Sequence, residues 1–298
     1  DRVLDSNDQE RERGITILAK NVSIRYKDVK INVIDTPGYL DFTGEVAQAL
    51  RVADSAVILV DGKAGIEVGT ELAWDMATDA GLPKSFFINR FDDGEARFYK
   101  VFDALREKFG VAVCPVQIPM IDGDKVVGFL NLINMRSVVY DKNGAPEESP
   151  IPEDFQDIAD EYRDMLLESI AQTSDDLMEK YFGGEDITTM ECLNGIHEGI
   201  IHGDIVPVFC GAASKLWGVW TMLDKIAESF PRHTAKKNEI LDNGDEMEIQ
   251  PDGEPALFVF KTVADPFVGK MSFFKVMNGT VRKDMLLPNN TPGDSEKL

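Results

Sequence analysis

Apolar and polar positions alternate over residues 21–26 and again over 30–34, with Lys27 and Asp28 between them. A two-residue period broken by a short polar step predicts two strands joined by a tight turn. The second run, Ile31-Asn32-Val33-Ile34, reads as a buried strand and stops at Asp35-Thr36-Pro37-Gly38-Tyr39. Residues 42–52 change to helical spacing, with Phe42, Val46, Ala49, Leu50 and Ala53 on one side. Ala56-Val57-Ile58-Leu59-Val60 is an unbroken apolar run, predicting a strand buried on both faces, and it ends at Asp61-Gly62. A helix follows over 67–80, closed by Gly81, then a strand over 85–88 that runs into Asn89-Arg90-Phe91-Asp92, then a helix over 95–109.

This strand–helix rhythm implies a parallel sheet with right-handed crossovers, so successive carboxyl ends gather on one edge, where α/β sheets bind ligands. That placement gives the interrupted strand ends their chemical interest. A carboxylate such as Asp35 can hold Mg²⁺ through water, and Gly38 lets a backbone N–H approach a phosphate; a plain turn accounts for the same residues equally well. A carboxylate at 92 can accept two hydrogen bonds from the N1–H and N2–H₂ edge of guanine, an arrangement adenine cannot satisfy. The competing reading is that Asn89 and Asp92 cap the helix over 95–109. Ahead of the first strand, the charged segment 6–13 predicts a solvated loop, and Thr16 is placed to offer a hydroxyl to a metal ion.

The run from Asn89 to Ala212 is about four times the roughly thirty residues that one βαβ step needs, so something is inserted. Within it, 111–118, 125–131 and 135–140 read as strands and 141–144 as a turn. Residues 152–172 read as a helix with Phe155, Ile158, Ala159, Tyr162, Leu166 and Ile170 on one face and an acidic opposite face, followed by helices over 175–182 and 188–202. A third strand, 207–209, ends at Cys210-Gly211-Ala212-Ala213-Ser214-Lys215, and a helix reaches Phe230. Residues 236–254 are polar and read as a linker; beyond them 256–262, 271–278 and 285–287 read as strands alone.

Composition narrows the possibilities. With 298 residues, 43% hydrophobic and 28% charged, the chain has the size and balance of two globular domains. No apolar run approaches a membrane span and no signal-peptide pattern opens the chain. A net charge of −22 argues against a broad nucleic-acid surface and against DNA as a partner. Cys114, Cys192 and Cys210 follow no metal-ligand spacing and are expected as free thiols in a reducing cytoplasm.

Arg13-Gly14-Ile15-Thr16, Asp35-Thr36-Pro37-Gly38, Asn89-x-x-Asp92 and Cys210-Gly211-Ala212-Ala213-Ser214-Lys215 stand in the order of the switch and base-recognition motifs of translational GTPases. Asp41-Phe42, Glu45, Val60-Asp61-Gly62-x-x-Gly65-Ile66 and Asp265-Pro266-Phe267-Val268-Gly269-Lys270 resemble elongation factor G, and the resemblance covers nearly the whole chain. It implies an α/β fold: a P-loop-type GTPase domain over 1–235, incomplete and with a mostly parallel sheet, carrying an inserted α+β subdomain at about 111–205. A linker at 236–254 and the start of a β-barrel second domain over 255–298 would follow. It implies GTP or GDP and Mg²⁺ as ligands, with Thr16 and Asp35 at the metal. Asp35, Thr36, Pro37, Gly38, Tyr39, Asn89, Arg90, Phe91, Asp92, Gly211, Ala212 and Ala213 would line the nucleotide, the Ala213 N–H reaching the guanine O6. It also implies the ribosome as partner, a cytoplasmic monomer, and no membrane.

The departures from the family bear on function. No Gly-x-x-x-x-Gly-Lys-Ser/Thr occurs, and the chain opens on Asp1, so it is read as part of a longer protein. This stretch alone is then expected to lack a central strand and not to bind GTP tightly. Tyr39 stands where translocating factors carry the histidine that positions the attacking water, and a phenol lacks the protonation change of imidazole near neutral pH. Arg90 replaces the usual Lys and Ala212 the usual Ser. Three roles fit: a ribosome-dependent GTPase, a nucleotide-gated ribosome-binding module with slow hydrolysis, or a ribosomal protection protein of the tetracycline-resistance type.

Overall fold

A computed structural model of the chain describes Leu4 and residues 7–265, 269–291 and 293–298. The charged opening segment forms a helix rather than a solvated loop: α1 spans Asp8–Arg13, with Asn7 accepting the Gln9 amide and Gly14 ending it at φ 68°. The reason lies in Glu10, which is buried. Its carboxylate accepts the amides of Asn7, Ile17 and Leu18 at 3.1, 3.0 and 3.0 Å and pairs with Lys20 at 3.1 Å. One acidic side chain thereby folds the loop that carries Thr16 back onto α1.

β1 (Lys20–Tyr26) and β2 (Val29–Asp35) pair antiparallel around the expected turn at Lys27. Next come α2 (Thr43–Val52), β3 (Ala56–Asp61), α3 (Val68–Asp79), β4 (Lys84–Asn89), α4 (Phe98–Phe109) and β5 (Val113–Pro115). The insert contributes β6 (Gln117–Asp122), β7 (Lys125–Asn131), β8 (Arg136–Tyr140) and β9 (Pro146–Ser149), then α5 (Gln156–Ala171), α6 (Asp175–Gly183) and α7 (Thr189–His202). β10 (Val206–Cys210) and α8 (Val219–Ser229) follow. β3, β4, β10 and β5 make a parallel sheet in that order, whereas β6 to β9 form a separate antiparallel sheet. The apolar run 111–118, expected as one strand, is therefore shared. Val113–Pro115 pairs with β10, and from Gln117 the chain pairs with β7, because an apolar period does not record where the partner changes.

The core is continuous between sheet and insert. Phe86, Phe87 and Ile88 on β4 and Val208 and Phe209 on β10 pack with Phe98, Phe102 and Leu105 of α4. Leu166 and Ile170 of α5 and Ile196 and Ile200 of α7 belong to the same cluster. The face of α5 expected to be apolar is the buried one, with Ala159, Tyr162, Leu166 and Ile170 inside. The three cysteines are free and buried.

Two strands expected to be buried each leave an apolar side chain uncovered, although Ile58 and Val60 of β3 do enter the core. Val33 on β2 is 39% exposed and Leu59 on β3 is 65% exposed. Among the described residues β2 pairs with β1 alone and β3 with β4 alone, so each presents an unpaired edge and an uncovered side chain. β9, with the sequence Pro-Glu-Glu-Ser, carries no strand signal and exists by pairing with β8.

The stretch 236–254 is not an unstructured connection. β11 (Asn238–Ile240) and β12 (Glu246–Glu248) form a hairpin, and the buried Glu239 accepts Arg51 of α2 at 2.7 Å. β13 (Ala256–Asp265) and β14 (Gly269–Asn278) pair antiparallel, as do β15 (Leu286–Pro288) and β16 (Ser295–Lys297). Pro266, Phe267 and Val268, part of one family motif, lie outside the described residues. The long hairpin docks on α2. Lys261 donates to the Ala19 carbonyl and to Glu45 at 2.6 and 2.8 Å, and Lys275 to the Val52 carbonyl and Asp54 at 2.8 and 2.7 Å. Glu45 also accepts the Ala19 amide at 2.7 Å, so one carboxylate joins three segments.

Glu10 yields a pH prediction. Burial alone would raise its pKa, but the Leu18, Ile17 and Asn7 amides and the Lys20 ammonium outweigh that and hold it at about 2, against 4.5 for a free glutamate. A lowered folded-state pKa contributes stability that is complete above pH 4.5 and lost as pH falls toward 2, on the order of 3 kcal/mol. Unfolding free energies measured against pH should fall across that window, and Glu10→Gln should be less stable at pH 7 and flatter below it. A variant with the wild-type acid profile would refute the role.

Candidate functional site

The parallel register sets the site. Asp61 at the end of β3 is level with Asn89 at the end of β4, and Cys210 at the end of β10 with Ile88. Backbone bonds carry the ladder past the strand ends: Gly211 N–H to the Ile88 carbonyl at 3.0 Å, Phe91 N–H to the Gly211 carbonyl at 3.1 Å, Gly62 N–H to the Asn89 carbonyl at 2.9 Å. Gly62 allows this approach because a Cβ there would meet the Asn89 carbonyl oxygen at 2.8 Å. Arg90 adopts φ 74°, a left-handed turn that sends Phe91 into the core against Phe98 and leaves Asp92 exposed.

The side chains of the two expected base-reading residues are met by one turn. The Ala213 N–H donates to Asn89 Oδ1 at 2.9 Å, and the Ser214 hydroxyl donates to Asp92 Oδ2 at 2.7 Å. Neither residue caps a helix: α4 begins at Phe98 behind Arg97, without any side-chain cap. This removes the competing reading of the motif. The Ala213 N–H, expected to reach a guanine O6, meets Asn89 Oδ1 here. Phe91 and Ala212, expected to line a ligand, point into the core and contribute backbone alone.

That turn, a 3₁₀ turn over Ala213–Lys215, is clamped on both sides. Ala212 and Trp217 exchange backbone hydrogen bonds at 3.1 Å each, and Gly211 and Gly218 cross so closely that a Cβ on Gly211 would stand 2.0 Å from the Trp217 carbonyl oxygen. From the insert, the turn between β8 and β9 presses on it. A Cβ on Gly144 would meet the Leu216 Cβ at 2.6 Å, and the Gly144 carbonyl accepts the Trp220 indole N–H at 2.8 Å.

Two residues at this edge were absent from the expected site. Asp61 accepts the Lys63 and Ala64 amides at 2.8 and 2.9 Å and Arg90 at 2.9 Å. Burial pushes its pKa up, but those amides and the guanidinium prevail and lower it. Its sequence signal is an acid ahead of glycine at a strand end. Ser214 carries no such signal, since a serine in a turn is ordinary.

The other expected residues belong to a different sheet. Asp35 ends β2 opposite Lys20, so the loop carrying Thr16 and the Asp35 carboxylate share one end of the β1–β2 hairpin. After it Pro37 is buried, Thr36 half-buried, and Gly38 and Tyr39 exposed. The loop reaches the start of α3, where a Cβ on Gly69 would lie 3.6 Å from the Gly38 carbonyl oxygen. Tyr39, 56% exposed, heads the 3₁₀ turn Leu40–Phe42, its carbonyl accepting the Phe42 amide at 3.0 Å. Among the described residues no group of three or more His, Cys, Asp or Glu is placed to hold a metal. One hydroxyl and one carboxylate nevertheless fit a hard cation such as Mg²⁺, which keeps water and phosphate oxygens as its other ligands.

A parallel sheet whose carboxyl edge gathers an amide, a carboxylate and a clamped turn defines a nucleotide-binding α/β domain of the P-loop GTPase type. The model of the elongation factor Tu GTP-binding domain family matches residues 1–232, and the chain belongs to that family. Among solved structures it is similar to the crystal structure of a protein from Thermus thermophilus, with a TM-score of 0.85 and 28% identity. That match covers 99% of this chain and 42% of the other, so the chain spans less than half the length of that relative. Within the described residues no helix is long and apolar enough to cross a membrane.

The crossing at Gly211 is open to test. Gly211→Ala drives a Cβ into backbone that has no rotamer escape, and should destabilise the fold by roughly 3 kcal/mol, the upper range for overpacking. Thermal or urea unfolding would measure it; a change within error would mean that the crossing relaxes freely.

Proposed function

We propose that this chain is the nucleotide-binding region of a ribosome-associated GTPase of the elongation factor G type. In this reading residues 1–235 form the GTPase domain, with an insert at about 111–205, 236–254 connect, and 255–298 open a second, β-barrel domain. The observation that carries it is the pair of bonds from one turn to Asn89 and Asp92. With the Asn89 oxygen accepting the Ala213 N–H, its NH₂ is the group left to donate to a base, while Asp92 presents acceptors. Guanine offers the complement, with acceptors at O6 and N7 and donors at N1 and N2. Adenine places a donor where the amide needs an acceptor and offers Asp92 no paired donors, so discrimination is expected to be large. Arg90, held by Asp61, would lay its stem beside the base.

Toward the phosphates, Thr16 would hold Mg²⁺ directly and Asp35 through water, with the Gly38 N–H facing the γ-phosphate. The cation supplies neutralisation of phosphate charge. The chain's own residues then sense the nucleotide through the 35–39 loop, which lies between the β1–β2 hairpin and α3.

Asp92→Asn tests the base assignment in the full-length protein. The wild type should prefer GDP to ADP by orders of magnitude. The variant should shift toward xanthine nucleotides, because an amide meets the guanine donor with a donor of its own. Equal affinity of the wild type for GDP and ADP would sink it.

Tyr39 favours a slow switch over a fast turnover enzyme. It is exposed at the head of a turn, where it can meet a phosphate or a ribosomal surface, yet a phenol positions water less well than imidazole. On saturating ribosomes, Tyr39→His should raise single-turnover GTP hydrolysis by roughly one to two orders of magnitude without altering nucleotide binding. An unchanged or slower rate would make Tyr39 an adapted catalytic residue or a bystander.

A further inference from the structure

The Asp92 carboxylate is exposed at the sheet edge, on a loop rather than a helix or strand, and among the described residues no hydrogen bond from its own segment holds it. The contact that does is the Ser214 hydroxyl, 2.7 Å from Oδ2, the length of a charge-assisted O–H···O⁻ bond. Ala212, buried and lacking a hydroxyl, cannot serve. Ser214 in turn has a fixed origin. The Lys215 amide returns to the Ala212 carbonyl at 2.9 Å and the Leu216 amide to the Ala213 carbonyl at 3.1 Å, Leu216 lying at φ 60°. The Ala212–Trp217 clasp and the Gly144 turn of the insert hold that unit from either side.

We propose that Ser214 is a positioning residue that sets the discrimination for the guanine 2-amino group by locking the plane of the Asp92 carboxylate; this rests on the guanine reading above. A carboxylate oxygen has two lone pairs, so Oδ2 can accept the hydroxyl and still accept from the base. With the plane fixed, both oxygens meet the N1–H and N2–H₂ donors together. A freely rotating carboxylate meets N1–H as readily but loses the second contact to the cost of ordering a side chain on binding. The effect therefore falls on guanine, which has the 2-amino group, more than on hypoxanthine, which lacks it.

The test compares GDP, IDP and ADP binding to the full-length wild type and to Ser214→Ala and Ser214→Thr. Ser214→Ala should weaken GDP about three- to tenfold, the scale of one side chain ordered on binding, and IDP by less, so the GDP/IDP preference narrows. Ser214→Thr, which keeps the hydroxyl, should restore the wild-type preference. Equal weakening of GDP and IDP would reduce Ser214 to a structural part of the turn and overturn the proposal, as would unchanged affinities. If the wild type binds ADP as well as GDP, the guanine reading itself fails and takes this proposal with it. A wild type that prefers GDP while Ser214→Ala keeps its GDP/IDP ratio sinks the role of Ser214 alone.

Discussion

The parallel pairing of β4 with β10 is the constraint on which the site depends. It aligns Phe86 with Val208 and Ile88 with Cys210, joining segments separated in sequence by the whole insert. Everything used at the carboxyl edge is counted from that register. A slip of one residue would reverse the faces of Phe86, Phe87 and Ile88 and move Asn89 away from the Ala213 amide. The pairing is fixed by burial, since both strands are almost wholly enclosed, and the polar site lies where that enclosure stops.

The insert is part of that enclosure. Its helices α5 and α7 pack into the same core as β4 and β10, and its β8–β9 turn lies against the turn that holds Asn89 and Asp92. Its apolar faces thus stabilise the sheet, and Gly144 makes mechanical contact with Lys215 and Leu216. The opposite flank is built differently. The β1–β2 hairpin is tied to α8 by Tyr26 to Asp224 at 2.8 Å and by Lys27 to Asp224 and Glu228 at 2.6 and 2.9 Å. Glu45 and Lys261 tie α2 to the loop before β1 and to β13. The half-exposed Lys27 pairs are individually weak and the Glu45–Lys261 pair, though largely buried, is a single polar link, whereas the β4–β10 core is dry and apolar. The two flanks of the domain thus differ in how firmly they are held.

Periodicity along the chain determined most of the secondary structure: the β1–β2 pair, the β–α alternation, the buried face of α5 and the glycine ends of helices. These depend on neighbours within a turn or a pleat, which a sequence records directly. The strand-end motifs were legible for the same reason, because an acid, an amide or a glycine after an apolar run is a local signal. What was not legible depends on partners far along the chain. Pro146–Ser149 became a strand through β8, residues 111–118 divided between two sheets, and Glu10 turned a charged segment inward by gathering three amides. Val33 and Leu59, apolar in sequence, stand at edges that the described strands leave uncovered. Only the tertiary structure decided that the Ala213 N–H and the Ser214 hydroxyl face Asn89 and Asp92, because a hydrogen bond across more than a hundred residues leaves no period in the sequence.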